Sequence, residues 1–302
     1  MLMSTASAFP AGSDCNGLRC GAGIVNAQAA VLAAQGVAPA PNYQGLWWNA
    51  PANSESGWGI NFAHQGDTIF ASWFTYDVNG RGLWLVMTAP KTGAGTYEGT
   101  LYQTHGSPFY AFDPATVVRS AVGTGTLTFA DTSNGTFRYT VNGTTQTKNI
   151  TREVFGTQPS CSFGSQPNLA LATNYQDLWW NAPPNSQSGW GVNFSHQGNI
   201  IFLTWFTYDL DGSPMWLVAS TTQTTNPAVF TGTLYRTSGA RFDAFDPAQV
   251  AKAAVGSATL TFADGNDATF DYTVQVAGMA QPTSGSKTIT REVFAAPGTT
   301  CQ

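Results

Sequence analysis

Short apolar segments with a period of two, separated by polar turns, fill the chain from residue 43 onwards. Segments that recur about every 8–12 residues are typical of antiparallel β-sandwiches and barrels. In the first half of this region the pattern predicts eight strands, at residues 43–49, 57–64, 68–77, 83–89, 96–103, 122–129, 135–141 and 147–155. Asn79-Gly80 and Asn142-Gly143 supply the residues that tight hairpin turns require.

The same pattern occurs twice. All ten tryptophans fall into five pairs separated by 132 residues, and residues 43–86 match residues 175–218 at 30 of 44 positions without a gap. Such self-similarity indicates a tandem duplication. We therefore divide the chain into a segment at 1–38, repeat one at 43–155, a connector at 156–174, repeat two at 175–294 and a tail at 295–302.

Two tandem antiparallel barrels of about eight strands each are the predicted fold, with β-sandwiches as the alternative. Sequential strands joined by tight turns favour an up-and-down barrel, which leaves no free sheet edge. Asp113 and Asp246, each followed by proline, are predicted to cap a short helix between the fifth and sixth strands of each repeat. The barrels are predicted to follow a short helical segment at the start of the chain.

The first and last strands resemble those of calycin barrels, the group of lipocalins and avidins. Gly45-Leu46-Trp47 is similar to their G-x-W, and Arg152 stands where those barrels place an arginine against the tryptophan. Repeat two keeps Trp179 and Arg291 but has Asp177 in place of the glycine.

Composition narrows the range of partners. Charged residues make up 10% of the chain, the net charge is −5, and no basic cluster occurs, which argues against nucleic acid and against an anionic membrane surface. No apolar run approaches the roughly 20 residues that span a bilayer. The sequence suggests no cofactor.

Residues 2–33 resemble the end of a subtilisin-like serine peptidase domain. The segment Gly21-Ala22-Gly23-Ile24-Val25-Asn26-Ala27 follows the pattern with which the last helix of those enzymes begins. The resemblance implies a secreted parent peptidase whose catalytic domain and export signal lie upstream of this chain. It also implies that Cys15 and Cys20 close a small loop in the peptidase tail.

The other two cysteines flank repeat two. Because the first and last strands of a closed barrel end close together, Cys161 and Cys301 are predicted to form a disulfide that fastens that barrel. Repeat one has no such pair, and we expect it to unfold first.

Catalytic constellations are weak in this sequence. His64 and His196 are twins, but one histidine per repeat forms neither a zinc site nor a recognisable nucleophile–base pair, and a structural role is favoured. No metal site is predicted, and no residue of the chain is assigned a catalytic role.

Aromatic residues beside retained polar residues are the main candidates for ligand binding, since flat rings, amides and hydroxyls suit neutral polymers. The strand at 68–77 is apolar on both faces, so its outer face packs on the sister repeat or faces a ligand. The candidate residues are Asn49, Trp58, Asn61, His64, Gln65, Trp73, Tyr76 and Trp84, with their twins Asn181, Trp190, Asn193, His196, Gln197, Trp205, Tyr208 and Trp216.

These observations predict a non-catalytic accessory region of a secreted subtilisin-like peptidase, in which the tandem β domains bind an extracellular or cell-surface polymer such as a polysaccharide. One alternative is a structural or maturation module that stabilises the protease. Another is a barrel that encloses a small apolar ligand.

Overall fold

The computed structural model describes residues 40–164 and 169–302, together with residues 6, 23, 30, 31 and 34. The predicted peptidase-like tail therefore lies almost entirely outside the described residues, as do Cys15 and Cys20.

Repeat one forms a closed antiparallel barrel of eight strands in sequence order. The strands are β1 (Gly45–Asn49), β2 (Gly59–Gln65), β3 (Thr68–Tyr76), β4 (Gly82–Gly93), β5 (Thr96–His105), β6 (Val118–Phe129), β7 (Asn134–Val141) and β8 (Thr144–Arg152). Pairing of β1 with β8, with Trp47 opposite Arg152, closes the barrel.

Repeat two forms a second closed barrel of the same topology. After the short strand β9 (Cys161–Phe163), its strands are β10 (Asp177–Asn181), β11 (Gly191–Gln197), β12 (Ile200–Tyr208), β13 (Pro214–Gln223), β14 (Val229–Ser238), β15 (Ala251–Phe262), β16 (Asp267–Val274) and β17 (Thr283–Arg291). A last strand, β18 (Thr299–Cys301), pairs with β9. The barrel prediction is confirmed over the sandwich.

The Asp-Pro signals mark one-turn 3₁₀ helices, at Pro114–Thr116 and Pro247–Gln249. The Asp113 carboxylate accepts from the backbone N–H of Ala115, and the Asp246 carboxylate accepts from that of Ala248. The predicted caps are therefore present, but each serves a single turn.

Packed side chains fill both barrels, because inward positions along the strands are occupied by large apolar residues such as Trp47, Ile60 and Trp73. The gap among Trp58, Trp73 and Phe242 has no room for a water molecule. This packing argues against a barrel that encloses a ligand.

Each barrel core also includes a phenylalanine from the other repeat. Phe242, in a 3₁₀ turn of repeat two, packs against Trp73 and Tyr139 of barrel one. Its twin Phe109 packs against Trp205 of barrel two. The barrels thus complete one another.

A disulfide joins Cys161 to Cys301, as predicted, across the paired strands β9 and β18. It does more than fasten repeat two. The Thr299 hydroxyl accepts from the Asn42 amide at 2.7 Å and donates to the His64 carbonyl oxygen, so the tail also holds repeat one. Because of this shared position and the exchanged phenylalanines, we expect one cooperative transition in place of the earlier unfolding of repeat one.

Replacing both cysteines by serine should lower the free energy of unfolding by about 4–5 kcal/mol, because the bond constrains a loop of sequence separation 140 in the unfolded chain. Urea unfolding followed by tryptophan fluorescence measures the loss. A second transition in the variant alone would show that the disulfide, rather than the packing, couples the barrels.

Candidate functional site

The apolar outer faces predicted from the sequence meet one another. Leu46, Phe74, Tyr76 and Trp84 of repeat one form a buried cluster with Phe206, Tyr208 and Trp216 of repeat two, which we name the barrel interface. The indole N–H of Trp84 donates to the Thr207 carbonyl oxygen at 2.9 Å, and that of Trp216 donates to the Thr75 carbonyl oxygen at 2.9 Å. Reciprocal contacts of this kind define an isologous, pseudo-two-fold interface.

The other candidate tryptophans are also buried. Trp73 and Trp205 lie inside the barrels, and Trp58 and Trp190 are 4% and 5% exposed. The ammonium groups of Lys148 and Lys287 lie 5.7 Å and 4.3 Å from the ring centroids of Trp58 and Trp190.

Candidate amides on β2 and β11 cross the barrel interface. Gln65 donates to the Glu292 carbonyl oxygen at 2.8 Å and accepts from the N–H groups of Phe294 and Ala295. Its twin Gln197 makes the same three bonds with Glu153, Phe155 and Gly156. Asn61 and Asn193 donate to the hydroxyls of Thr204 and Ser72, each at 3.4 Å.

The remaining polar candidates bond within their own repeat. Asn49 and Asn181 donate to Ser54 and Ser186 in the loops after β1 and β10. The hydroxyl groups of Tyr76 and Tyr208 donate to the carbonyl oxygens of Gly57 and Gly189.

His64 and His196 are internal hydrogen-bonding residues. Nδ1 of His64 accepts from the N–H of Tyr43 at 3.0 Å, so its Nε2–H faces the Tyr97 hydroxyl at 3.2 Å. Burial lowers the pKa of His64 to about 3 and that of His196 to about 4. Both rings are therefore neutral at physiological pH, which supports the structural reading.

The sixteen predicted residues therefore do not form an open aromatic platform, and among them only Trp84 and Trp190 line an open groove beside the barrel interface. These residues pack in the barrel cores and at the barrel interface, or form hydrogen bonds within two loops. Sequence reasoning missed Phe109 and Phe242, because an isolated phenylalanine in a loop gives no sign that it enters another domain.

A groove of about 440 Å³ lies beside the barrel interface. Trp180 and Trp190 line it from repeat two, and Phe70, Trp84 and Arg119 line it from repeat one. Trp180 is only partly buried, in contrast to the candidate tryptophans. On the other side of the pseudo-two-fold axis, the corresponding residues are Trp48, Trp58, Phe202, Trp216 and Lys252.

The groove contains a carboxyl group without a cationic partner among the described residues. The indole nitrogens of Trp180 and its twin Trp48 have no acceptor among the described residues, but both nitrogens are themselves buried and are not open to the groove. Glu292, which lines the groove, and its twin Glu153 form no ion pair with any described residue, and burial raises the pKa of each carboxyl to about 7. Partly buried carboxyls are usually paired in folded proteins, so Glu292 is the candidate polar contact for a ligand in this groove.

Other kinds of site are not indicated. Within residues 40–164 and 169–302, no three His, Cys, Asp or Glu side chains cluster as metal ligands would, and no described helix is long and apolar enough to cross a membrane. No protein-family model, curated protein or solved structure matches the chain.

Replacing Gln65 or Gln197 by methionine should destabilise the chain by about 2–4 kcal/mol, because each change leaves one carbonyl and two N–H groups at the barrel interface without their partner. Urea unfolding measures the loss, and Gln275→Met, at an exposed position, is the control. Equal midpoints for the three variants would contradict the interface role.

Stability should depend little on pH between about 4.5 and 6.5. The histidine pKa values are lower in the folded state, so stability falls as pH drops through this range. The pKa values of Glu153 and Glu292 are higher in the folded state, so stability rises as pH drops from about 7 to 4.5.

The double variant Glu153→Gln, Glu292→Gln should remove the glutamate contribution to the pH dependence of stability and leave the histidine contribution. We expect it to be more stable than the parent at pH 8 and to lose about 2–5 kcal/mol between pH 6.5 and 4.5. Urea unfolding across this range tests the result, with Glu98→Gln as the exposed control. A variant profile as flat as that of the parent would refute the balance.

Proposed function

We propose that the two barrels form a non-catalytic binding module of a secreted subtilisin-like peptidase, and that the groove at Trp180 and its counterpart at Trp48 hold segments of an extracellular polysaccharide. The groove, with the partly exposed Trp180 ring and the Glu292 carboxyl in its lining, is the observation that supports this proposal.

The chemistry of the groove suits a sugar. A pyranose ring presents an apolar face that packs on an indole and a rim of hydroxyl groups that both donate and accept. Glu292 offers acceptors to such hydroxyls, and the Arg119 guanidinium offers donors, while the Trp180 ring offers an apolar surface. The lining has both charge signs, so it favours a neutral polymer over a polyanion.

A counterpart site at Trp48, which we infer from the twin residues, would increase retention on a polymer. The second segment binds at a high effective concentration once the first is held, so overall affinity exceeds that of either groove. A β-structure fastened by the Cys161–Cys301 bond also fits an oxidising compartment, which is consistent with export.

The second candidate function is a structural or maturation module for the peptidase. The barrel interface and the exchanged phenylalanines favour this function, because most residues retained in both repeats pack inside the barrels or between them. A module of this kind would show no retention on any polymer.

Binding is tested by sedimentation of the full chain with insoluble cellulose, chitin and bacterial peptidoglycan. We expect retention on at least one, weakened about tenfold by Trp48→Ala or Trp180→Ala and further by both together, since a lost aromatic contact is worth about 1 kcal/mol or more. Tyr110→Ala, at a ring that is 50% exposed, is the matched control.

The double variant Glu153→Gln, Glu292→Gln provides an independent readout, since Glu292→Gln keeps the shape of the groove at Trp180 while removing its carboxylate, and Glu153→Gln makes the same change at the twin position. Retention that none of these groove variants changes would place binding elsewhere. Absence of retention on all three polymers would favour the structural module.

A further inference from the structure

The two barrels hold the same arginine in the same way. Arg152 of β8 lies 5.0 Å from the ring centroid of Trp47, and Arg291 of β17 lies 5.0 Å from that of Trp179. Each guanidinium also donates to three backbone carbonyl oxygens, those of Thr132, Gln44 and Asn42 for Arg152 and those of Gly265, Gln176 and Asn174 for Arg291.

Only one of the two arginines has a counterion in the described chain. In repeat two, the Asp177 carboxylate lies 3.0 Å from Nη1 of Arg291, and both side chains are at most 5% exposed. In repeat one, Gly45 occupies the position of Asp177, and no described carboxylate lies within ion-pair distance of Arg152. Since an arginine remains protonated, its positive charge is left unbalanced.

An open-sided cavity of about 360 Å³ lies where the missing carboxylate would be. Gly45, Arg152 and Gln176 line it, with the hydroxyl-bearing residues Ser133 and Ser160. Gly45 has a φ of +133°, and a Cβ at this position would stand 3.2 Å from Nη1 of Arg152. The glycine therefore keeps this side of the guanidinium clear.

We propose that this cavity binds a small carboxylate anion, whose carboxylate takes on Arg152 the position that Asp177 takes on Arg291. The ion pair of repeat two shows that a carboxylate fits this arginine geometry within the same fold. Glu153 also lines the cavity, and its negative form disfavours a dianion such as phosphate. The site thus selects a singly charged carboxylate.

Acetate is the probe for this site, added to the full chain at constant ionic strength. We expect a saturable shift of the Arg152 Nε–Hε resonance, assigned with Arg152→Lys, and little change at Arg291. The dissociation constant should be on the order of millimolar, because a four-atom ligand makes few contacts. Inorganic phosphate should bind more weakly.

Two variants exchange the residues Gly45 and Asp177 between the repeats. Gly45→Asp supplies an internal carboxylate once the backbone leaves the φ of +133° that favours glycine, and it should abolish the shift at Arg152. Asp177→Gly recreates the arrangement of repeat one, and acetate should then shift Arg291 and raise the melting temperature in a saturable manner.

A linear, non-saturating shift in the parent chain would overturn the proposal. So would a saturable shift that persists unchanged in Gly45→Asp, because acetate would then bind elsewhere. Neither result depends on polysaccharide retention, which concerns the groove at Trp180.

Discussion

Phe109 of repeat one packs into the core of barrel two, and Phe242 of repeat two packs into the core of barrel one. This exchange, with the aromatic outer faces that meet between the barrels, is the constraint on which the structure depends. A strand such as β3 is apolar on both faces, and one barrel alone would leave one of those faces in water. Association of the two barrels removes that apolar surface from water. The hydrogen bonds donated by the Trp84 and Trp216 indoles fix how the two faces align. The folded unit is therefore the pair of barrels.

The isologous geometry also explains where the repeats resemble each other. In such an interface each contact between the repeats recurs between the twins of the two residues, so a change in one copy disturbs the packing of the other. The strongly similar segment, 43–86 against 175–218, carries nearly all residues of the barrel interface. The arrangement is that of a symmetric dimer whose two halves are joined in one chain, a low-cost route from one barrel to a rigid pair.

Local patterns predicted the fold well, because they act over a few residues. Period-two alternation and turn residues indicated eight strands per repeat, the Asp-Pro pairs marked the 3₁₀ turns, and strand order placed Cys161 near Cys301. The candidate site was predicted poorly for a physical reason. Gln65 and Asn61 appeared unnecessary for a single core, so their retention suggested a ligand, whereas their partners belong to the sister barrel. A sequence shows which residues are kept in both copies, but it does not show whether they contact a ligand or the other repeat.

The hydrogen-bond partners of a retained residue distinguish a role in folding from a role in binding, whereas similarity between twins does not. Gln65 and Trp84 have all their polar contacts inside the protein, so their retention is explained by folding alone. The indoles of Trp73 and Trp205 lack acceptors but are enclosed by aromatic rings in the filled barrels. The buried indole nitrogens of Trp48 and Trp180 also lack acceptors, but the rings of these two residues are partly exposed and Trp180 lines a groove, so core packing alone does not explain their retention. Positions at which the twins differ give a second kind of evidence for binding sites. Glu55 pairs with Lys148, whereas its twin Gln187 leaves Lys287 without a carboxylate and burial lowers the pKa of that lysine to about 8. Gly45 opens a cavity at a buried cation, which the pair Asp177–Arg291 closes in the other repeat. In a chain built from two copies, binding chemistry is therefore to be sought where a retained group is unsatisfied or where the symmetry is broken beside a cavity.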